Sequence, residues 1–159
     1  MPDTSNFTIR KAHPDDLPIV KQCMLALYHA DRQYDTLFYE PHPEEHADEE
    51  YSKCIRGEDG VCYVAEREGE IIGCLTGELS VVPTEQPARR TQLEKIFVKE
   101  GFRDLGVGSA LVEAFVQWNK EIGVDRIFVR TYAENAGAIK LYERFGFRPY
   151  ILGLLLSTE

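Results

Sequence analysis

The stretch Leu93-Glu94-Lys95-Ile96-Phe97-Val98, followed after a short link by Arg103-Asp104-Leu105-Gly106-Val107-Gly108, decides how this chain is read. The first segment is rich in residues that favour a pleated strand. The second sets two glycines before a run in which Leu111, Phe115, Trp118 and Ile122 recur at helical spacing. The order is strand, glycine loop, helix. Glycines at such a junction let the backbone approach a ligand without a Cβ clash. The free N–H groups of the helix's first turn then point at an anion, and the helix dipole favours negative charge there. Taken alone, Arg-x-x-Gly-x-Gly serves equally well as a tight turn.

Two other phosphate loops do not fit. A Walker loop ends in Gly-Lys-Ser/Thr, whereas this chain has Gly108-Ser109-Ala110. A dinucleotide-binding fingerprint needs a third small residue close to the first strand of its fold. Position 111 is Leu, and the loop comes late in the chain.

Toward the C-terminus, Gly123 ends the helix and residues 126–132 read as a strand. Asn135 caps a short helix that turns Ala138, Ile139, Tyr142 and Phe145 inward, and Gly146 stops it. Residues 147–156 read as a last strand. Toward the N-terminus, a proline- and arginine-rich loop, 83–90, precedes the strand at 91–98. Before it, strands 61–66 and 71–82 form a hairpin around Arg67-Glu68-Gly69-Glu70. An acidic helix covers 44–56, with Ala47, Tyr51 and Ile55 on one face. An earlier helix starts at Pro14-Asp15-Asp16 and runs to about residue 32, its first-turn acids favoured by the dipole. Residues 6–11 make the first strand. The order β-α-α-β-β-β-α-β-α-β predicts an α/β (α+β mixed) fold. Its centre is a mixed, mostly antiparallel sheet of about six strands with helices on both faces. The 159 residues show no linker or repeat, which fits one domain over 1–159.

The segment Asn135-Ala136-Gly137-Ala138-Ile139-Lys140-Leu141-Tyr142-Glu143-Arg144-Phe145-Gly146-Phe147 lies one helix-strand crossover, ~30 residues, beyond the glycine loop. Together the two segments resemble the GNAT family of N-acetyltransferases. Arg103-Asp104-Leu105-Gly106-Val107-Gly108 is similar to the family's Q/R-x-x-G-x-G/A. The Asn135 segment is similar to its N-x-x-A-x-x-L-Y-x-x-x-G-F, in the same order and at the same spacing. The resemblance covers about residues 91–148; the N-terminal half agrees in its order of elements.

The resemblance implies acetyl-CoA as co-substrate, with no metal. It implies that backbone groups of Ile96, Phe97 and Val98, where the family's strand splays at a bulge, hold the pantetheine arm. One N–H there would polarise the thioester carbonyl. The pyrophosphate would lie on the amides of Asp104, Leu105, Gly106, Val107, Gly108 and Ser109, with Arg103 adding charge or pointing to solvent. Asn135 matches a cofactor-contacting position and equally serves as a helix cap. Tyr142 matches the tyrosine that protonates the leaving thiolate; a phenol titrates near 10 and a thiol near 8.5. As a plain reading, Tyr142 is one aromatic on a buried helix face.

An acceptor amine arrives protonated, so a base is needed. Glu94 is the first candidate, with Glu78 and Glu134 behind it; a strand glutamate also sits commonly in solvent. Relatives that acetylate protein N-termini often carry glutamate where this chain has Arg130. That departure argues against a ribosomal-protein N-terminus as acceptor. Acceptor choice in the family lies in the first two helices and their loop, here with Asp31, Tyr34, Asp35, Phe38 and Tyr39. Acids with aromatics suit an ammonium on an apolar stem, and the aromatics equally suit the core.

A net charge of −9 argues against nucleic acid and mildly favours a cationic acceptor. The chain shows no secretory leader, and its longest apolar run, 150–156, is too short to cross a membrane, so the cytosol is the expected location. Cys23, Cys54, Cys62 and Cys74 form no Cys-x-x-Cys pair and are expected as small buried hydrophobes. His42 and His46 lack a third ligand at metal-site spacing, and Pro43 separates His42 from the helix. The apolar C-terminal strand offers a homodimer surface. The expected function is N-acetyl transfer to a primary amine of a small molecule or protein. The alternatives are a non-catalytic acyl-CoA-binding or regulatory module, and transfer of a longer acyl group.

Overall fold

The computed structural model describes residues 6–35, 44–81, 84 and 89–158. Within them the order is β1 (Thr8–Lys11), α1 (Leu17–Asp31), α2 (Glu44–Arg56), β2 (Gly60–Arg67), β3 (Glu70–Val81), β4 (Arg89–Val98), α3 (Val107–Glu121), β5 (Ile127–Val129) and α4 (Ala136–Arg144). The predicted start at Pro14 is a 3-10 turn, Pro14–Asp16, that leads into α1. The His13 N–H donates to Asp16 Oδ2 at 2.6 Å, and the Asp15 N–H donates to His13 Nδ1 at 3.3 Å. Phe38, Tyr39 and His42 fall outside the described residues, as does most of the 83–90 loop.

The strands lie in the order β1-β2-β3-β4-β5. All pairs are antiparallel except β4 with β5, which is parallel. The mixed, mostly antiparallel sheet with helices on both faces is therefore present. One core, with Val20, Cys23, Met24, Tyr51, Cys62, Val64 and Cys74, lies under α1 and α2. The other gathers Ala65, Leu75, Leu93, Leu111 and Phe115 under α3. Strand β3 is buried from Ile71 to Gly77 because both its faces are covered. Three of the four cysteines are buried, and Cys54 is half-buried.

Two contacts hold α3 to the sheet. Gly77 lies against Phe115 so closely that a Cβ on it would stand 2.1 Å from the ring. The buried Thr91 hydroxyl of β4 donates to Asn119 Oδ1 of α3, and Asn119 Nδ2 donates to the Phe115 carbonyl at 2.9 Å. Every buried polar atom of that pair thus has a partner, as burial requires.

Two strand expectations are corrected. The fifth strand covers only Ile127–Val129, not 126–132, because its pairing with β4 ends at Val129 opposite Leu93. Residues 147–156 form no strand, so the sheet has five strands among the described residues. The Phe147 N–H is tied to the Tyr142 carbonyl at 3.2 Å, and the Tyr150 ring lies on Phe128 and Arg126. Beyond Tyr150 the apolar side chains meet no face of the sheet: Ile151, Leu152, Leu154, Leu155 and Leu156 are 79 % to 90 % exposed. Alternating or continuous apolar character favours a strand only where a ladder and a core exist to receive it.

Candidate active site

The site begins at an irregularity in β4. Thr76 stands opposite Lys95 and Gly77 opposite Leu93, which leaves Glu94 as the extra residue of a β-bulge. Leu93, Ile96 and Val98 pack on the α3 side, while Phe97 packs on the α1–α2 side. Strict alternation from Ile96 and Val98 would send Glu94 to the α3 side as well. The bulge turns it instead toward α2, where it borders a cavity of about 400 Å³ with Glu49, Glu50, Thr76 and Glu78. Burial raises the Glu94 carboxyl above the ordinary range, and the like charge of Glu78 raises it further; Lys95 and Arg130 oppose this. The structure therefore brings Glu94 and Glu78 together. Glu134 is exposed in the turn before α4 and is not part of the cavity lining.

Past the bulge, β4 loses its neighbour on the β5 side, since the last described pair is Leu93 with Val129. Ile96, Phe97 and Val98 thus lie where β4 has no described ladder partner on that side, an open crevice beyond the end of β5. The Lys99 N–H donates to Ile72 of β3 at 2.9 Å. Strand alternation then directs the backbone groups of Ile96 and Val98 away from β3, toward the crevice. Arg103 Nε donates to the Val98 carbonyl there at 3.1 Å, so the Arg103 side chain is engaged with β4.

The glycine loop lies beside the end of β4, where a Cβ on Gly108 would stand 3.9 Å from the Val98 side chain. Asp104 has φ 62° and Gly106 has φ 83°, both left-handed. Gly106 is the N-cap of α3 and supplies no side-chain acceptor, so the first N–H groups of α3 have no side-chain cap. A non-glycine residue at Gly106 would carry strain of about 1–2 kcal/mol. Arg144 Nη2 donates to the Ser109 hydroxyl at 3.1 Å, which brings a second cation to the same helix end. Arg144 was not expected from sequence; its basic side chain lies within the Asn135 segment, but which way α4 presents it follows from packing alone. Asn135 Oδ1 accepts the Ala138 N–H at 3.1 Å, the geometry of a helix cap.

Tyr142 of α4 is 6 % exposed and belongs to the same core cluster as Leu93 and Val107. Its ring meets Phe147 edge-on at 5.7 Å. Burial, with the negative charge of Asp31 second, pushes its phenol up to about 12. Tyr34 stacks on Tyr132 at 5.4 Å. Burial raises the Tyr132 phenol, helped by Asp35 and Asp31, and desolvation raises the Asp31 carboxyl. The end of α1 thus brings Asp31, Tyr34 and Asp35 to the side of Tyr132 and Tyr142. Tyr132 was missed in sequence because it lies in the link after β5, outside either quoted motif.

A sequence model described as the acetyltransferase (GNAT) family matches residues 25–147. An uncharacterized N-acetyltransferase of Methanocaldococcus jannaschii is 28% identical over 89% of this chain, which spans 60% of that protein's length. An L-amino acid N-acetyltransferase of Escherichia coli is 29% identical over 90% of this chain and 83% of its own. Among solved structures, an aminoglycoside N-acetyltransferase in complex with CoA superposes with a TM-score of 0.74 and 20% identity, covering 99% of this chain and 98% of that one. That likeness is one of fold.

Proposed function

The chain belongs to the acetyltransferase (GNAT) family, and we propose that it moves the acetyl group of acetyl-CoA directly to a primary amine, with both substrates bound together. The observation that carries this reading is the crevice where β4 leaves β5, opening onto the uncapped start of α3. The free amides from Asp104 to Ser109 suit a pyrophosphate, and Arg103 and Arg144 add positive charge beside it. Ile96 and Val98 offer backbone groups to the pantetheine arm and the thioester carbonyl, whereas the Phe97 backbone, expected to do the same, faces β3 in the ladder.

Glu94 serves as the base in this reading. A carboxylate raised above its ordinary range is a better proton acceptor for an ammonium, directly or through water. Tyr142 serves the leaving sulfur. Full proton transfer from a phenol near 12 to a thiolate near 8.5 is uphill by about 5 kcal/mol. Hydrogen-bond donation to the developing thiolate carries no such penalty, so Tyr142 acts first as a donor. The acceptor is a primary amine of a small molecule or protein, and the acidic cavity beside Glu94 favours a cationic one. Residues 1–159 act as one N-acetyltransferase domain, located in the cytosol. No described helix is long and apolar enough to cross a membrane. The exposed apolar segment after Tyr150 supports a homodimer.

The test is an amine panel with acetyl-CoA, read by thiol release and by the mass of the product. Thiol release that depends on the amine is the expected result. Acetyl-CoA binding without thiol release from any amine would make the chain a non-catalytic binding module.

A further inference from the structure

The cavity between α2 and the bulge holds more negative charge than a single ammonium needs. Glu49, Glu50, Asp59, Glu78 and Glu94 all border it. Two of these are matched: Lys53 Nζ lies 3.0 Å from Glu49, and Lys95 Nζ lies 2.6 Å from Glu50. Among the described residues, Asp59, Glu78 and Glu94 have no ion pair at contact distance. A second observation lies in the same wall. Thr76 is 4 % exposed, lines the cavity, and its hydroxyl has no hydrogen-bond partner among the described residues. A buried hydroxyl left so is unfavourable, and a ligand group bonding to it removes that penalty.

The spacing of the three unmatched carboxylates follows from the sheet. Asp59 precedes Gly60, which stands opposite Glu78, and the Leu79 N–H donates to the Asp59 carbonyl at 2.7 Å. Glu78 stands opposite Gln92 on β4, with Glu94 farther along that strand. The carboxylates therefore step across three neighbouring strands, and their outer members arise from backbone positions ~13 Å apart, from which the side chains reach inward. A cavity of about 400 Å³ takes a small organic ligand.

On the reading that Glu94 faces the reacting amine, we propose that this cavity selects an aliphatic diamine or polyamine whose second ammonium lies about 6–10 Å from the one acetylated. Asp59 and Glu78 hold the second ammonium, and the Thr76 hydroxyl accepts a hydrogen bond from an ammonium N–H. A monoamine leaves the Asp59 and Glu78 carboxylates in the cavity wall without a contact ion pair. A free amino acid brings its own carboxylate against them and is disfavoured by like-charge repulsion.

The test compares n-butylamine, 1,4-diaminobutane, 1,6-diaminohexane and glycine as acceptors with the intact protein. The diamines should exceed butylamine in kcat/KM by about tenfold or more, with the difference in KM, and glycine should be poorest. Asp59→Asn should remove most of the diamine advantage. Thr76→Val should raise the diamine KM with little change in thermal stability. Equal kcat/KM for mono- and diamine overturns the proposal, as does a diamine advantage that Asp59→Asn leaves intact. If no amine releases thiol, calorimetry of 1,6-diaminohexane against butylamine decides. Diamine-selective binding that Asp59→Asn abolishes sinks the transfer reading and keeps the diamine site; absence of such binding sinks the site as well.

Discussion

Two residues of the candidate site carry charge states set by their surroundings. Burial and Asp31 push the Tyr142 phenol up to about 12, which makes it a weaker acid than a free phenol and keeps it a hydrogen-bond donor further into the alkaline range. Tyr142→Phe should lower kcat by about 100-fold or more while changing acetyl-CoA affinity less than threefold. Thiol release at steady state and equilibrium binding give the two numbers. Unaltered kcat would remove Tyr142 from the reaction and leave it as packing. Glu94 is raised by burial and then by Glu78, so in the proposed role of base its carboxylate form is reached only above the usual glutamate range. Turnover at saturating amine should therefore fall as pH drops through that raised value. In Glu78→Gln the like charge is gone, and the acid limb of the profile should move to lower pH. A limb that stays in place or moves upward would show that Glu94 is not the titrating base. Tyr142 stood out in the sequence by its place in a motif. The raised carboxyl of Glu94 did not, because its causes are burial first and then Glu78 on another strand, and both are set by tertiary packing.

At the scale of elements, the β4 bulge decides which face of the sheet receives Glu94, and the left-handed Gly106 decides how α3 begins. Gly77 lies opposite the bulge and under Phe115. Gly77→Ala should destabilise the fold by ~1–3 kcal/mol, lowering the melting temperature by roughly 2–12 °C. Phe115→Leu in the same chain should recover part of the loss, since the two sites share one contact. Calorimetric melting of the single and double variants would expose a wrong account if the single change proved neutral. The glycine loop was legible from Gly106, because a positive φ at an uncapped helix start selects glycine directly, while Gly108, inside α3, was legible only through its place in the motif. The bulge was not legible at Glu94: no residue type there is required, and the slip is a property of the β3–β4 ladder.

At the scale of the molecule, β5 is covered on one edge by β4, and the apolar segment beyond Tyr150 is exposed. Contiguous exposed apolar side chains next to an unpaired strand edge favour association. The protein should sediment as a dimer at micromolar concentration. The double change Leu154→Ser with Leu155→Ser should shift it to monomer without changing the far-UV circular dichroism. A monomeric parent protein in the same run would remove the dimer. The sequence pattern at 147–156 predicted a sixth strand because apolar content was right. Among the described residues the structure provides no ladder partner for them, so the same residues stand exposed.

Periodicity, glycine placement and the two motifs, all local properties of the chain, were enough to read the element order as far as α4, the mixed sheet with helices on both faces, and the family, but not the absence of a strand at 147–156. They sufficed because helix stripes, helix caps and left-handed turns are selected by neighbouring residues. Tertiary structure alone decided the turning of Glu94 toward α2, the arrival of Arg144 at Ser109, and the gathering of Asp59, Thr76 and Glu78 around one cavity. Each of those depends on register between strands or on how one helix lies against another, and such distances are set by the packed sheet rather than by adjacency along the chain.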